Sequence, residues 1–309
     1  MTRSFSKHVL AAAICCVLFA GKASADTYTQ TKYPVVLVHG ALGFSTIGPV
    51  NYWFGIASAL QSGGATVLQP QLSALNGNEV RGEQLLQQLR QYKAAYGYTK
   101  FNLIGHSQGG IAVRYVMAME PDLVASVTTV GTPHFGSPVA DGIVRDTAAT
   151  GISGLVFSIL STLGSVVDFL GGTPQLPQNA AATFNDTTTS SAAAFNASYP
   201  LGLPATSCGQ GPASVNGAPM YSAGGAAVLT NPADPSDALL VLTSTYFNGA
   251  TNDGLVGRCS SHFGTVLRDD YFWNHLDEVN MVFGLRSLFA PDPVAFYRSQ
   301  VNRLKVAGL

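Results

Sequence analysis

The sequence predicts an α/β fold, a mostly parallel sheet with helices packed on its faces. Three observations predict it. Short apolar runs of strand length recur along the chain. Segments with one apolar helical face separate them. No internal repeat breaks the alternation. At 309 residues the chain is long enough for one large domain with a sizeable core.

Residues 1–25 stand outside that fold. Arg3, Lys7 and His8 make a basic start, Val9 to Ala20 is an apolar run, and small residues end it at Ala25. This is the pattern of a secretory signal peptide, with the run too short for a membrane anchor. Residues 26–309 then form the single domain. They carry 13 Lys and Arg against 17 Asp and Glu, with no basic patch, which argues against a nucleic-acid partner. Charged residues are only 11% of the chain, so part of the surface is neutral or meant for an apolar phase. Cys208 and Cys259 are the two cysteines left after export. An even pair in an oxidising compartment reads as one disulfide, with two buried thiols as the alternative.

The elements follow in order. PVVLVHG (34–40) is apolar throughout, as a strand buried on both faces is. Residues 52–64 read as a helix closed by glycine, and 65–72 as a second strand. Residues 79–97 place Leu85, Leu86, Leu89, Tyr92 and Tyr96 on one helical face. KFNLIGHS gives a strand, GGIAVRYVMAM a helix and VASVTTVGTP another strand. The segment 152–170 is nearly all apolar or small, with Gly154, Ser158, Ser161, Ser165 and Asp168 in one narrow stripe. It reads as a flap over an apolar cleft or as a buried core helix. A transmembrane span fits poorly in mid-domain. Residues 218–226 and 238–247 are expected to be strands, and 275–284 and 292–305 helices.

The stretch NLIGHSQGG sets Ser107 between Gly105 and Gly109 in G-x-S-x-G spacing. With 33 Gly in the chain, the pentapeptide alone is a weak signal. Its setting strengthens it. A strand precedes Ser107 and a helix follows, the context of a strained turn that exposes a nucleophile. A serine nucleophile needs a base, and the base an orienting acid, in the chain order Ser, acid, His. His134 comes too early and His262 lies three residues from Cys259, which leaves His275, in a loop late in the chain. For the acid, Asp253 lies in Gly/Asn turn chemistry after the expected strand 238–247. Asp234 and Asp237 sit at the other end of that strand, and Asp277 is too near His275 to turn back onto its ring. The backbone N–H of Gln108, at the helix start, and that of Ala41, in the early loop VHGALGF, are the candidate oxyanion donors. His39 reads as a structural turn residue.

Taken together, YPVVLVHGALGF, VRGEQLLQQ, NLIGHSQGG, VTTVGTPHFGS, NDGLVGRCSSH and NHLDEVN resemble the secreted triacylglycerol lipases of Pseudomonas and Burkholderia type, from about Tyr28 to Leu304. The resemblance implies an α/β-hydrolase fold with a helical lid at about 143–171. It implies a Ser107, Asp253 and His275 triad, oxyanion donors at Ala41 and Gln108, and a Cys208–Cys259 pair. It also implies a structural calcium held by Asp234 and Asp277 and by the carbonyls of Met281 and Leu285, which suits the oxygen preference of that ion. A lipid ester at an oil–water interface is the implied substrate. Export through the periplasm with a dedicated foldase as partner, and a monomer without a membrane anchor, are also implied. Ala41 is smaller than the Met or Leu usual after His-Gly, and the lid is the least similar segment. A short-chain esterase or polyester depolymerase, an acyltransferase and a non-catalytic lipid-binding protein are the other readings of these residues.

Overall fold

The computed structural model describes residues 26–48, 50–206 and 208–309. The expected signal peptide lies outside the described residues.

The first half alternates as the sequence predicts. Strand β1 (Val35–Val38) is followed by a two-residue antiparallel pair, β2 (Thr46–Ile47) and β3 (Val50–Asn51), then by helix α1 (Ile56–Ser62) and the short strand β4 (Val67–Leu68). Helix α2 (Asn78–Tyr96), β5 (Phe101–His106), α3 (Gln108–Met119) and β6 (Val124–Val130) complete it. Four helices come next: α4 (Pro138–Ala149), α5 (Ser153–Leu170), α6 (Ala180–Asp186) and α7 (Thr189–Ser198). The last part holds β7 (Ser214–Val215), β8 (Ala218–Gly225), α8 (Pro235–Ser244), β9 (Thr265–Tyr271) and α9 (Pro293–Val306).

The sheet runs β4-β1-β5-β6-β8, with β9 parallel and β7 antiparallel to β8. Every residue of β1, β5 and β6 is buried, which is why these strands are mostly apolar or small, with no Asp, Glu, Lys or Arg on either face. Strand alternation splits β1 between two cores. Val36 and Val38 join Leu85, Leu86 and Leu89 of α2 and Ile111, Val113 and Val116 of α3. Val35 and Leu37 join Trp53, with Ile56 and Leu60 of α1 and Tyr297 and Val301 of α9. Helices therefore cover both faces.

Three expectations fail locally. The segment 238–247 is helical, not extended. Asp234 caps α8 by accepting from the Ser236 N–H at 2.7 Å, and Pro235 opens its first turn. Asp253 therefore follows a helix rather than a strand. The segment 275–284 holds only a 3₁₀ turn, Asp277–Val279, ended by Asn280 in the left-handed region. Strand β9 was not expected, because its Arg268, Asp269 and Asp270 hide the alternation.

Helix α5 is not a core helix. Among the described residues it is the one helix long and apolar enough to cross a membrane, yet only 11% of it is buried. It packs on α4 and α6. Its inward line carries Ser161, Gly164 and Asp168, while Leu155, Ile159, Leu163, Val166 and Phe169 face outward. The polar stripe is thus partly the buried side, an inversion of ordinary amphipathicity.

Candidate active site

Ser107 stands at the turn between β5 and α3 with φ 54° and ψ −132°. A non-glycine residue held there is strained, and the surroundings over-determine it. A Cβ on Gly105 would meet the backbone of Gly109 and Gly110 at 2.6 Å, and one on Gly109 would run into the carbonyls of Val38 and His39. The elbow needs glycine at both places because chain segments cross there at backbone contact.

His275 and Asp253 come together. The His275 Nδ1 lies 2.8 Å from Asp253 Oδ2, and the His275 N–H donates to the Asp253 carbonyl at 2.9 Å. Asp253 Oδ1 accepts from the N–H groups of Leu255 at 2.8 Å and Val256 at 2.7 Å. Both carboxylate oxygens are therefore engaged, and the acid is fixed by its own turn. Both side chains are buried. With Nδ1 committed, His275 Nε2 is the nitrogen left for chemistry.

His106, next to Ser107, ties the His275 loop to the elbow. Its Nε2 lies 3.1 Å from the His275 carbonyl and 3.1 Å from Glu278 Oε2. Burial holds His106 well below the usual imidazole range and pushes the Glu278 carboxyl well above its own. Glu278 Oε1 accepts the Gly225 N–H at 2.6 Å, so the loop of His275 is also fastened to β8. His106, His275 and Glu278 bring ligand-type atoms within 4.8 Å of one another and could hold a metal ion. Here His106 and Glu278 bond each other, and His275 bonds Asp253, which makes the cluster a hydrogen-bond junction.

The loop after β1 is clamped by groups that the sequence reading missed. Arg81 on α2 is fully buried and donates from Nη2 to the carbonyls of His39 at 2.7 Å and Gly40 at 3.0 Å, and from Nη1 to the Ser73 carbonyl. Burial lowers its pKa to about 10, so it stays charged. His39 is a turn residue, as expected. Its Nδ1 lies 2.9 Å from the Gly40 carbonyl and its Nε2 accepts the Leu72 N–H at 3.0 Å. Burial, then Arg81, lower its pKa to about 3. The Gly40 carbonyl belongs to the peptide whose N–H is Ala41's. In a trans peptide the two point opposite ways, so holding the carbonyl aims the N–H away from Arg81. Among the described residues neither the Ala41 nor the Gln108 N–H has an acceptor. The Gln108 side chain donates to the Asn76 carbonyl at 2.9 Å and to Asn78 Oδ1 at 3.0 Å, anchoring the start of α3 to that of α2.

A sequence profile of the alpha/beta hydrolase fold matches residues 33–163. The triacylglycerol lipase of Vibrio cholerae is 48% identical over 93% of this chain and 92% of its own length. That of Burkholderia plantarii is 44% identical, over 93% and 89%. The chain belongs to the bacterial triacylglycerol lipases. The Pseudomonas fragi triacylglycerol lipase, at 43% identity, spans 92% of this lipase-family chain and is matched over its full length. The crystal structure of Staphylococcus hyicus lipase shares the fold, with a TM-score of 0.60 at 19% identity over 90% of this chain and 97% of that one.

The other expected residues of this family member fall in two places. Cys208 and Cys259 form a disulfide. Asp234 and Asp277 are both buried, and each leaves one carboxylate oxygen, Asp234 Oδ2 and Asp277 Oδ1, buried and unpartnered. Burial, reinforced by Asp234 and Asp237, pushes the Asp277 carboxyl up to about 6. The Met281 carbonyl accepts the Phe283 N–H at 2.8 Å. Asp237 has another task. Its Oδ2 accepts the N–H groups of Thr230 and Asn231, each at 2.8 Å, and its Oδ1 takes Asn274 Nδ2 at 2.6 Å, beside His275.

Proposed function

We propose that this chain cleaves lipid carboxylic esters through an acyl-enzyme on Ser107. One observation carries the reading. The strained serine at the tip of β5 sits next to His106, whose ring bonds the His275 carbonyl, and His275 is bonded to Asp253. Nucleophile, base and acid are thus locked in one unit.

Ser107 Oγ attacks the ester carbonyl carbon while His275 Nε2 takes its proton. Asp253 holds the imidazole in the right tautomer and stabilises its charge. The N–H groups of Ala41 and Gln108 receive the oxyanion, the second helped by the positive end of α3. The C–O bond to the alcohol breaks, and the alcohol leaves with the proton from His275. Water then attacks the acyl carbon, giving its proton to the same nitrogen, and the fatty acid departs as Ser107 regains its hydrogen. Helix α5, within residues 143–171, acts as the lid. Its outward apolar face suits an oil–water interface.

Asp234 and Asp277, with the carbonyls of Met281 and Leu285, would hold a calcium ion. Two buried, unpartnered carboxylate oxygens fit a hard cation and are costly without one. The ion would supply charge neutralisation that ties the base loop to the start of α8. Residues 1–25 would direct the chain out through the periplasm, with a foldase as transient partner, and the product would work as a monomer.

Ser107→Ala should abolish hydrolysis of both soluble and emulsified esters and leave the circular dichroism spectrum unchanged. Activity near that of the parent chain would rule the mechanism out.

A further inference from the structure

Tyr52 is buried and lies outside the triad, the oxyanion donors and the calcium cluster. Its hydroxyl touches two of the segments that meet at Ser107. The Gly40 N–H donates to Tyr52 Oη at 3.0 Å, and Tyr52 Oη lies 2.6 Å from His106 Nδ1. The direction of the second bond follows from the rest of the ring. His106 Nε2 faces the His275 carbonyl and Glu278 Oε2, each at 3.1 Å; the carbonyl only accepts, and the tautomer with the hydrogen on Nε2 is the one that serves it, with Glu278 Oε2 as a second acceptor. A buried neutral imidazole then has Nδ1 as its acceptor, and the Tyr52 O–H must donate to it.

We propose that Tyr52 is a positioning residue for ester hydrolysis. Its hydroxyl sets the Gly40–Ala41 oxyanion segment against the elbow and, through His106, against the base. The inference rests on the Ser107 mechanism above. One residue is held on both sides: Tyr52 takes the Gly40 N–H, in the peptide before it, while Arg81 and His39 hold the Gly40 carbonyl, in the peptide that carries the Ala41 N–H. The spacing is tight, since a Cβ on Gly40 would lie 2.9 Å from Tyr52 Oη and 3.1 Å from Ser107 Oγ. Removing the hydroxyl leaves the Gly40 N–H and His106 Nδ1 without partners, and the oxyanion segment free to drift. Tyrosine is required rather than any aromatic ring, because one atom must accept and donate at once.

The test is Tyr52→Phe, which keeps the ring packed against Phe44 and Trp53. Rates on a soluble p-nitrophenyl ester are normalised to sites titrated with a fluorophosphonate. The expected result is a fall in kcat of about ten- to a hundred-fold with KM nearly unchanged. Affinity for an alkylboronic acid, which mimics the tetrahedral adduct, should fall in parallel. An unchanged kcat and boronate affinity would overturn the proposal, as would losses confined to KM. A second measurement uses the parent chain. Its histidine ¹⁵N spectrum should show His106 in the Nε2–H tautomer, and the opposite tautomer would also overturn it. Ser107→Ala, assayed alongside, separates the two ideas. An inactive Ser107→Ala with a fully active Tyr52→Phe sinks only the role of Tyr52.

Discussion

Arg81 carries a full charge in the core with no carboxylate bonded to it, so its four carbonyl contacts must offset the loss of water. Lysine has the charge but not the planar fork that reaches Ser73, His39 and Gly40 together. Arg81→Lys should lower kcat more than it raises KM and cost about 2–4 kcal/mol of stability, as breaking a buried polar network does. Steady-state kinetics and chemical unfolding of the variant check both parts, and a stable variant with parental kcat would contradict the clamp. Residues of this kind are not legible in a sequence. Arg81 lies on the buried side of a helix beside Leu85, Leu86 and Leu89, and only its contacts to carbonyls outside that helix, those of His39 and Gly40 lying 42 and 41 residues away, explain it. The setting of Ser107 is legible because it is local, a strand, a turn and a helix with glycine where backbones cross. The choice of Asp253 rests on a partly mistaken premise. The strand before it is a helix, but its Asn and Gly neighbours do build the turn that fixes its carboxylate.

Helix α5 shows what periodicity does and does not encode. The narrow polar stripe was visible, but not that its Ser161 and Asp168 face the protein. Ser161 Oγ accepts the Ala180 N–H at 2.9 Å, and Asp168 accepts from Gln71, Gln178 and the Ala74 N–H. The Ala74 carbonyl in turn accepts the Leu42 N–H at 2.7 Å, so the proposed lid is coupled to the loop beside Ala41. Burial raises the Asp168 carboxyl to about 6, against the opposing pull of its hydrogen bonds and of Arg81, the charge that faces it. Undocked, the group would titrate near 3.8. Docked α5 therefore binds the proton more tightly. The stabilisation by that proton is fully present below pH 3.8 and is lost as pH rises through about 6. Hydrogen exchange in Ser153–Leu170, corrected for its intrinsic pH dependence, should be faster at pH 8 than at pH 5. Asp168→Asn should remove that step. A step of equal size in the variant would mean that another group controls docking.

On the scale of the whole molecule, the parallel sheet came through in the sequence because β1, β5 and β6 are buried on both faces. The last third was harder to read, since loops there are held by side chains rather than by repeating patterns. Two clamps converge on the Asp253–His275 unit. The Cys208–Cys259 disulfide, across 51 residues, anchors the segment that follows Asp253. By chain entropy it would stabilise the fold by about 4 kcal/mol, a shift in melting temperature on the order of 10 °C. The proposed calcium acts on the other side, where Asp234 caps α8 and Asp277 follows His275. The clamps constrain different loops, so their effects should differ in kind. Reduction of the disulfide mainly frees the unfolded chain, and should lower the melting temperature while leaving the initial rate at 25 °C nearly intact. Chelation leaves the buried carboxylates of Asp234 and Asp277 uncompensated, the second two residues from His275, and should lower melting temperature and rate together. Added calcium should restore both, and Asp234→Asn should be insensitive to EDTA. Scanning calorimetry with parallel rate assays separates the cases. A melting temperature unmoved by excess EDTA would remove calcium from the account and leave Asp234 and Asp277 as an unexplained buried pair.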